Sequence, residues 1–552
     1  MSQEKAREET KNSSIYGSGT EQFKAVKSVS QLKCTPVDEI PAIVDRLKKS
    51  FLKDRKTHSL QFRLNQLRNV YFALKDNIGD LSEALFKDFS RAPSETMNLE
   101  YAPFMNELVH TMANLQRWSM PEPVKDLPLN LMTSPVYVER VPLGTVLVIS
   151  PFNYPLLLTL SSLIGALSAG NCVVLKISEF VPNFSIILTK MLTECLDPSI
   201  FAMVNGGIDE TTVLLEQKFD KIMYTGSTKV GKIIAKKAAE TLTPVLLELG
   251  GKSPAFVLDT VTDKDMKKIA RRIVWGRFIN AGQTCVAIDY VLADAKIKTK
   301  LVASIKQVVE KEFYSAVDET DPSYTHIIHD RAFDNMCKMI DDTSGDIVTG
   351  GDADSRTRFI PPTVIDNVDW EDSTMQQEIF GPILPIISFT DLEDTIDEVI
   401  KRHDTPLASY IFTSGASSRS KDPQIDLIRT AIRSGGTIVN DSILHVGLTS
   451  APFGGIGQSG HGSYHGFYSY RAFTHERTTI ESSLRTEFAS KVRYPPFTEG
   501  KDKAIQASMI PYNESVWFDR SGNVALSGPG LAWSLWHRVS EISTLIYRFA
   551  ST

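Results

Sequence analysis

Between Thr145 and Leu249 short apolar runs alternate with segments of helical length, and this alternation restricts the fold more than any other feature of the chain. The runs TVLVIS, CVVLK, FAMV, KIMYT and VLLEL are too compact for helices, while LLLTLSSLIGALSAG and KVGKIIAKKAAETL between them are long enough. Strands alternating with helices of that length predict a parallel, doubly wound α/β sheet. Such sheets take ligands outside the carboxyl ends of their strands, so nucleotide binding is the first expectation. The fold alone does not establish it.

On either side the pattern changes. Val37 to Trp118 reads as helical, with three-and-four apolar spacing in IVDRLKKSFL and LRNVYFALKDNI. The proline-rich MPEPVKDLPLNLMTSP cannot continue those helices and reads as a linker or extended arm. A second α/β stretch from Lys252 to Asn440 offers strands YVLAD, PILPIISF and GGTIVN and the helix DMKKIARRIVWGRF. The Gly-rich APFGGIGQSGHGSYHG follows, and from Arg485 the composition becomes atypical. The polar N-terminus lacks the apolar core of a secretory signal, and its acidic residues oppose a mitochondrial transit peptide; residues 1–35 read as a disordered arm.

With 552 residues, 42% of them hydrophobic, the chain can build two or three domains. A net charge of −6 opposes a general nucleic-acid binder. Cys34, Cys172, Cys195, Cys285 and Cys337 are odd in number and lack ligand spacing, which suggests neither disulfides nor a metal site and fits a reducing compartment.

Two tempting motifs fail on inspection. Gly226–Lys232 resembles a P-loop, but Ile233 stands where Ser or Thr must bind magnesium. Gly455, Gly457 and Gly460 match a dinucleotide fingerprint, yet they lie outside any first strand–turn–helix unit, and an irregular turn is the expectation. Gly226, Ser227 and Gly231 are better placed. They follow the strand KIMYT and open a helix, so backbone N–H groups there can meet a pyrophosphate; the alternative is a tight turn. Cys285 in FINAGQTCVAIDY is either a nucleophile, needing activation from a thiol pKa of ~8.5, or an inert buried cysteine. Glu248 in LLELGGKSP ends a strand beside a glycine pair and is either a base or a solvated group. Asn153 in SPFNYP could donate to an oxyanion or serve turn chemistry.

LELGGKSP, GQTC, SPFNYP, QEIFGPILP and PFGGIGQSG together resemble the aldehyde dehydrogenase superfamily from Val37 to Arg477. The stretches VNDSILHVGLTSAPFGGIGQSGHGSYHG and GGIDETTVLLEQKFDKIMYTGS resemble its class-3, fatty aldehyde branch, and RYPPF and WFDRSGN the fungal fatty aldehyde (hexadecenal) dehydrogenases. The resemblance implies an α/β aldehyde dehydrogenase-like fold: a Rossmann-type NAD-binding domain (36–247, interrupted near 121–142 by an oligomerisation arm), a catalytic domain (248–440), a return segment with an oligomerisation strand (441–484) and a tail (485–552).

It further implies that Cys285 is the nucleophile, Asn153 an oxyanion donor and Glu248 the base that hydrolyses a thioester. Lys176 and Glu179 in LKISEF would contact the adenosine ribose, favouring NAD with NADP as an alternative; Ile177 replaces the family's usual proline. Glu378 and Phe380 would place the nicotinamide ribose and ring, and Asn440 and His445 would line the substrate site. Weighed against this are a thioesterase or acyl transferase, which would need no Gly226 turn, Lys176 or Glu378, a CoA-acylating enzyme, which Glu248 opposes, and a non-catalytic member, which Cys285, Glu248 and Asn153 together oppose.

Leu531, Leu535, Val539, Ile542, Ile546 and Phe549 recur at helical spacing beside Trp533 and Trp536. Charges at His537, Arg538, Glu541 and Arg548 disfavour a clean span of about 20 apolar residues, so helix 531–549 is expected to lie in a membrane interface, or to pack on protein. The expected substrate is a long-chain aldehyde such as hexadecenal, with aromatic or medium-chain aldehydes as alternatives. The expected setting is intracellular and facing the cytosol, on mitochondrial outer membrane, endoplasmic reticulum or lipid droplet, as a homodimer through PVYVER and the stretch after Asn440.

Overall fold

All five apolar runs expected between Thr145 and Leu249 are strands: Thr145–Ile149, Cys172–Lys176, Phe201–Val204, Lys221–Thr225 and Val245–Glu248. A computed structural model of the chain describes residues 32–125, 127, 131, 134–415, 422–509, 520–522 and 524. The five strands run parallel in the spatial order 201–204, 172–176, 145–149, 221–225, 245–248. They are continuous apolar runs because the sheet is covered on both faces. The order reverses between 145–149 and 221–225, so the chain leaves these two strands in opposite directions and a crevice opens at their carboxyl ends.

Helix Pro155–Ser168 is buried along its whole length, which explains why it is apolar all round rather than striped. Pro155 opens it, with a ring that presets the first turn. The N–H groups of Leu156 and Leu157 donate to the buried carboxylate of Glu100 at 2.8 and 3.1 Å, so a negative charge meets the helix N-terminus.

Tyr290–Asp294, Ile383–Phe389 and Gly436–Val439 confirm the strands expected in the second α/β stretch. Pro254–Val257, Asp346–Thr349, Thr363–Asp366 and Ala408–Phe412 join them, in the order 346–349, 363–366, 383–389, 290–294, 254–257, 408–412, 436–439. Only the first pair is antiparallel among these described strands. The literal fingerprint Gly455–Gly460 forms a 3₁₀ turn, Gly457–Ser459, and then a short strand, Gly460–His461, antiparallel to Val245–Glu248. Gly460 lies directly opposite Glu248, and a Cβ there would sit 2.2 Å from the Leu247 carbonyl oxygen.

These elements belong to a unit formed by Met1–Ala113 and Gly144–Ala472; Asn114–Leu143 and Phe473–Thr552 form another. In the second unit Val136–Pro142 pairs antiparallel with Thr474–Ile480 on one side and Glu122–Pro123 on the other. The proline-rich arm therefore contributes a two-residue strand. Of the arm expected over 1–35, residues 1–31 lie outside the described residues, while Thr35 exchanges hydrogen bonds with Asn205. The helix expected over 531–549 also lies outside them. Among the described residues no helix is long and apolar enough to cross a membrane.

Leu163 is fully buried in helix Pro155–Ser168. Leu163→Ala should cost about 2–5 kcal/mol, read as a lowered midpoint in a urea unfolding titration with little change of slope.

Candidate active site

Cys285 follows a turn that few sequences adopt. Helix Asp263–Phe278 runs into Ile279–Gly282, where Asn280, Ala281 and Gly282 have φ of 53°, 49° and 71°. Two consecutive left-handed residues other than glycine are strained and persist only if the surroundings hold them. Arg91 and Asn280 do so. The Arg91 guanidinium donates to the Asn153 carbonyl at 2.6 Å and to Asn280 Oδ1 at 2.9 Å, and pairs with Glu100 at 3.3 Å. Asn280 Nδ2 donates to the carbonyls of Asn153 and Gln283 at 2.9 and 3.1 Å. Asn153 Nδ2 also reaches the Gln283 carbonyl at 3.1 Å, which leaves its second amide hydrogen unused by that bond. Tyr154 Oη and Thr284 Oγ1 meet at 2.7 Å. The turn carrying Asn153 and the loop carrying Cys285 are thus tied residue by residue.

Both face a cavity of about 960 Å³, whose wall also includes Glu248, Lys176, Glu179, Gly226, Ser227, Glu378 and Phe380. Glu248 ends its strand and is buried, with neither carboxylate oxygen hydrogen-bonded among the described residues. Burial pushes its pKa well above the ordinary carboxylate value. Burial, then the charges of Glu378 and Glu248, push the Cys285 thiol up to about 12, opposed by the N–H groups of Cys285 and Val286. The resting sulfur is therefore a protonated thiol at neutral pH.

The other end of the cavity suits a dinucleotide. Ser227 caps helix Thr228–Ala239, its hydroxyl accepting from the Val230 N–H at 3.4 Å, and the helix start lines the cavity. Gly231 is one turn in, where a Cβ would lie 2.6 Å from Leu249 Cδ2, so the absent side chain permits close helix–strand packing. Lys176 Nζ pairs with Glu179 at 2.8 Å. Glu378 Oε1 is buried without a partner among the described residues, an acceptor available to a hydroxyl. Phe380 stands edge-on to Phe152 at 5.9 Å. Helix N-terminus, ion pair and orphaned carboxylate oxygen fit NAD(P).

Asn440 and His445 are not brought to the cavity wall. Asn440 Oδ1 accepts from the Thr413 N–H and Nδ2 donates to the Thr413 carbonyl, at 2.8 and 2.7 Å, so both amide functions are spent locking two strand ends together. The His445 ring packs 5.4 Å from that of Phe453 with both nitrogens buried, off the cavity wall. Its neighbours Ile443, Leu444, Val446 and Gly447 line the cavity instead. Sequence reasoning also missed Arg91, Glu100 and Asn280. Asn280 lay inside the quoted FINAGQTC; nothing local marked the other two.

The aldehyde dehydrogenase family model matches residues 25–479. Fatty aldehyde dehydrogenase HFD1 of Saccharomyces cerevisiae is 40% identical over 508 residues, covering 89% of this chain and 93% of its own length. The dimeric, NADP-preferring aldehyde dehydrogenase of Mus musculus is 40% identical over 460 residues, covering 83% of this chain and 98% of its own. The substrate-bound Staphylococcus aureus AldH structure is similar at a TM-score of 0.80 and 36% identity, covering 85% of this chain and 99% of that one. A match of that span, on a chain that gathers a cysteine, an asparagine, a glutamate and a nucleotide-type helix start around one cavity, means that the chain belongs to the aldehyde dehydrogenase family and is an NAD(P)-dependent aldehyde dehydrogenase.

Proposed function

We propose that the protein oxidises long-chain aliphatic aldehydes such as hexadecenal to carboxylic acids, preferring NAD. The observation that carries the chemistry is the convergence of Cys285, Asn153 and Glu248 on one cavity. The cavity wall also carries Leu99, Pro103, Trp275, Ile279, Leu444 and Val446, an uncharged surface suited to an alkyl chain. A relative named for fatty aldehydes, at 40% identity over most of both chains, supports the same substrate class.

Cys285 Sγ bonds to the aldehyde carbon as its proton passes out to solvent, which leaves the Glu248 carboxylate free for the later step. The former carbonyl oxygen is held by the Asn153 amide and the Cys285 N–H, one such donor being worth about 3–4 kcal/mol. When bound, the oxidised dinucleotide supplies the acceptor for the hydride that the adduct carbon must lose. Collapse leaves a thioester on Sγ. Glu248 then deprotonates the water that releases the carboxylic acid and restores the thiol.

Cys285→Ser should abolish dehydrogenase activity while NAD still binds, measured by protein fluorescence quenching. Glu248→Gln should give a burst of NADH followed by slow turnover. Glu248 is protonated below its raised pKa, so wild-type deacylation should fall as pH drops through that value, and the Gln variant should lack this limb. A full-rate steady state in the Gln variant excludes the base role.

Glu179 repels a 2′-phosphate and its partner Lys176 attracts one, so pairing at 2.8 Å leaves NAD preferred and NADP accepted. Glu179→Gln should move the kcat/KM ratio roughly tenfold toward NADP, about 1.4 kcal/mol.

The strand Thr474–Ile480 is an edge of its sheet with mostly exposed side chains, and it suits pairing with a second copy in a homodimer; the Mus musculus relative is named as dimeric. The tail from Leu531 acts as an interfacial anchor on a cytosol-facing membrane or lipid droplet. NADH formation across aldehydes of graded length, with and without vesicles, should favour the longest chains. Ending the chain at 530 should remove the vesicle effect and release the protein from membranes; unaltered fractionation rejects the anchor.

A further inference from the structure

Around the loop that carries Glu378 and Phe380, three charged side chains are withdrawn from solvent. Asp289 Oδ2 accepts from Lys252 Nζ at 2.7 Å and Oδ1 from Arg277 Nη1 at 2.9 Å, all three residues being buried. Their remaining hydrogen bonds go mainly to the backbone of one loop. Lys252 Nζ donates to the carbonyls of Thr374 and Gln377 at 2.7 and 3.1 Å, and Arg277 Nη2 to that of Gly381. The Ile379 N–H lies 3.3 and 3.4 Å from the two Asp289 oxygens. The backbone is held on both sides of Glu378 and Phe380, and Phe380 has a left-handed φ of 54°, which a bulky residue keeps only under constraint. The three charges come from the segments that carry the chemistry: Lys252 follows Glu248, Asp289 follows Cys285, and Arg277 precedes it.

We propose that Lys252, Asp289 and Arg277 are positioning residues for cofactor binding, fixing the Glu378–Phe380 loop relative to Glu248 and Cys285 and setting the charge of Glu378 through one surplus positive charge. The proposal rests on the reading of Glu378 and Phe380 as dinucleotide-binding. Stability alone is a poor account of the cluster, because buried ion networks are often matched or bettered by apolar side chains of similar volume. The groups acting on the Glu378 carboxyl are Asp289, Lys252, Arg277 and the Gly251 N–H, with Cys285 as the remaining titratable neighbour. Burial and then Asp289 push Glu378 up to about 8, while the Gly251 N–H, Lys252 and Arg277 pull it down. Removing the lysine charge should therefore raise its pKa, and removing the aspartate charge should lower it.

The test uses the full chain with Lys252→Met, Lys252→Arg, Asp289→Asn and, as a reference, Glu378→Gln. NAD affinity is measured by calorimetry across pH, kcat and KM for each substrate separately, and loop mobility by amide hydrogen exchange of residues 374–381. Lys252→Met should raise the Kd and KM for NAD roughly tenfold to a hundredfold, with the aldehyde KM within about twofold, and should speed loop exchange. Lys252→Arg should recover most of the loss. The acid limb of NAD affinity should move up in pH for Lys252→Met and down for Asp289→Asn. Unchanged NAD affinity and exchange in folded Lys252→Met overturns the proposal, as do limbs that move the same way. Should Lys252→Met not fold, the limb in Asp289→Asn and NAD affinity in Lys252→Arg decide. If Glu378→Gln binds NAD like the wild type while Lys252→Met still loosens the loop, the reading of Glu378 falls and the clamp stands.

Discussion

The site depends first on a cation sealed inside the protein. Arg91 and Glu100 have no exposed surface, and burying such a pair costs several kcal/mol per ion before any gain is counted. The Arg91 guanidinium offsets this with bonds to two different catalytic segments, at the Asn153 carbonyl and at Asn280 Oδ1, and it stacks over the Tyr154 ring at 4.6 Å. Glu100, its partner, caps the helix that starts at Pro155, two residues after Asn153. One ion pair thus fixes the entry to that helix and the left-handed turn before Cys285. Without it, the Asn280 bonds to Asn153, Gln283 and Glu95 alone would have to keep Asn280 and Ala281 at positive φ and Asn153 in register with the sulfur.

The second constraint is electrostatic. A thiol and two carboxylates share one cavity, and the two carboxylates raise the cost of ionising the thiol. Burial acts in the same direction on all three, so each proton is harder to remove than from a solvated group, and the Cys285 sulfur rests as the thiol. That state protects the cysteine from oxidation and metal capture, both of which need the thiolate.

How much of this was legible depends on the distance over which each feature is written. The first sheet was readable because its strands are buried on both faces, and such strands appear as unbroken apolar runs. Pro254–Val257 and Thr363–Asp366 were missed because they hold only three and two apolar residues in a row, whereas FAMV holds four. Cys285, Glu248 and Asn153 were found through local motifs, and the structure brings all three to one cavity. Asn440 and His445 were assigned from a motif that gives position along the chain but not side-chain direction. Positive φ at Asn440 and Ile443 turns the backbone there, sending Ile443 and Leu444 to the cavity and the Asn440 amide to Thr413. Several members of the buried clusters, Lys252, Asn280 and Asp289 among them, sit inside quoted motifs, but nothing local shows whom they meet. Arg91 meets Asn280 across 189 residues, and Lys252 meets Thr374 across 122, beyond any periodicity or spacing rule.

The glycine-rich return segment shows how tightly base and substrate wall are joined. Gly460 pairs opposite Glu248, while Phe453 and Tyr464, bridged by backbone hydrogen bonds at 3.1 and 2.8 Å, form part of the cavity wall. A larger or smaller side chain at either aromatic position must be absorbed by a segment that also pairs with the strand end bearing Glu248. Core packing transmits such changes rather than cushioning them. The turn Leu444–Gly447 carries no such burden: Leu444 is more than half exposed yet reaches the cavity. Substrate length and shape can therefore vary through that turn at little cost to catalysis, whereas changes in the aromatic wall must move Glu248 as well.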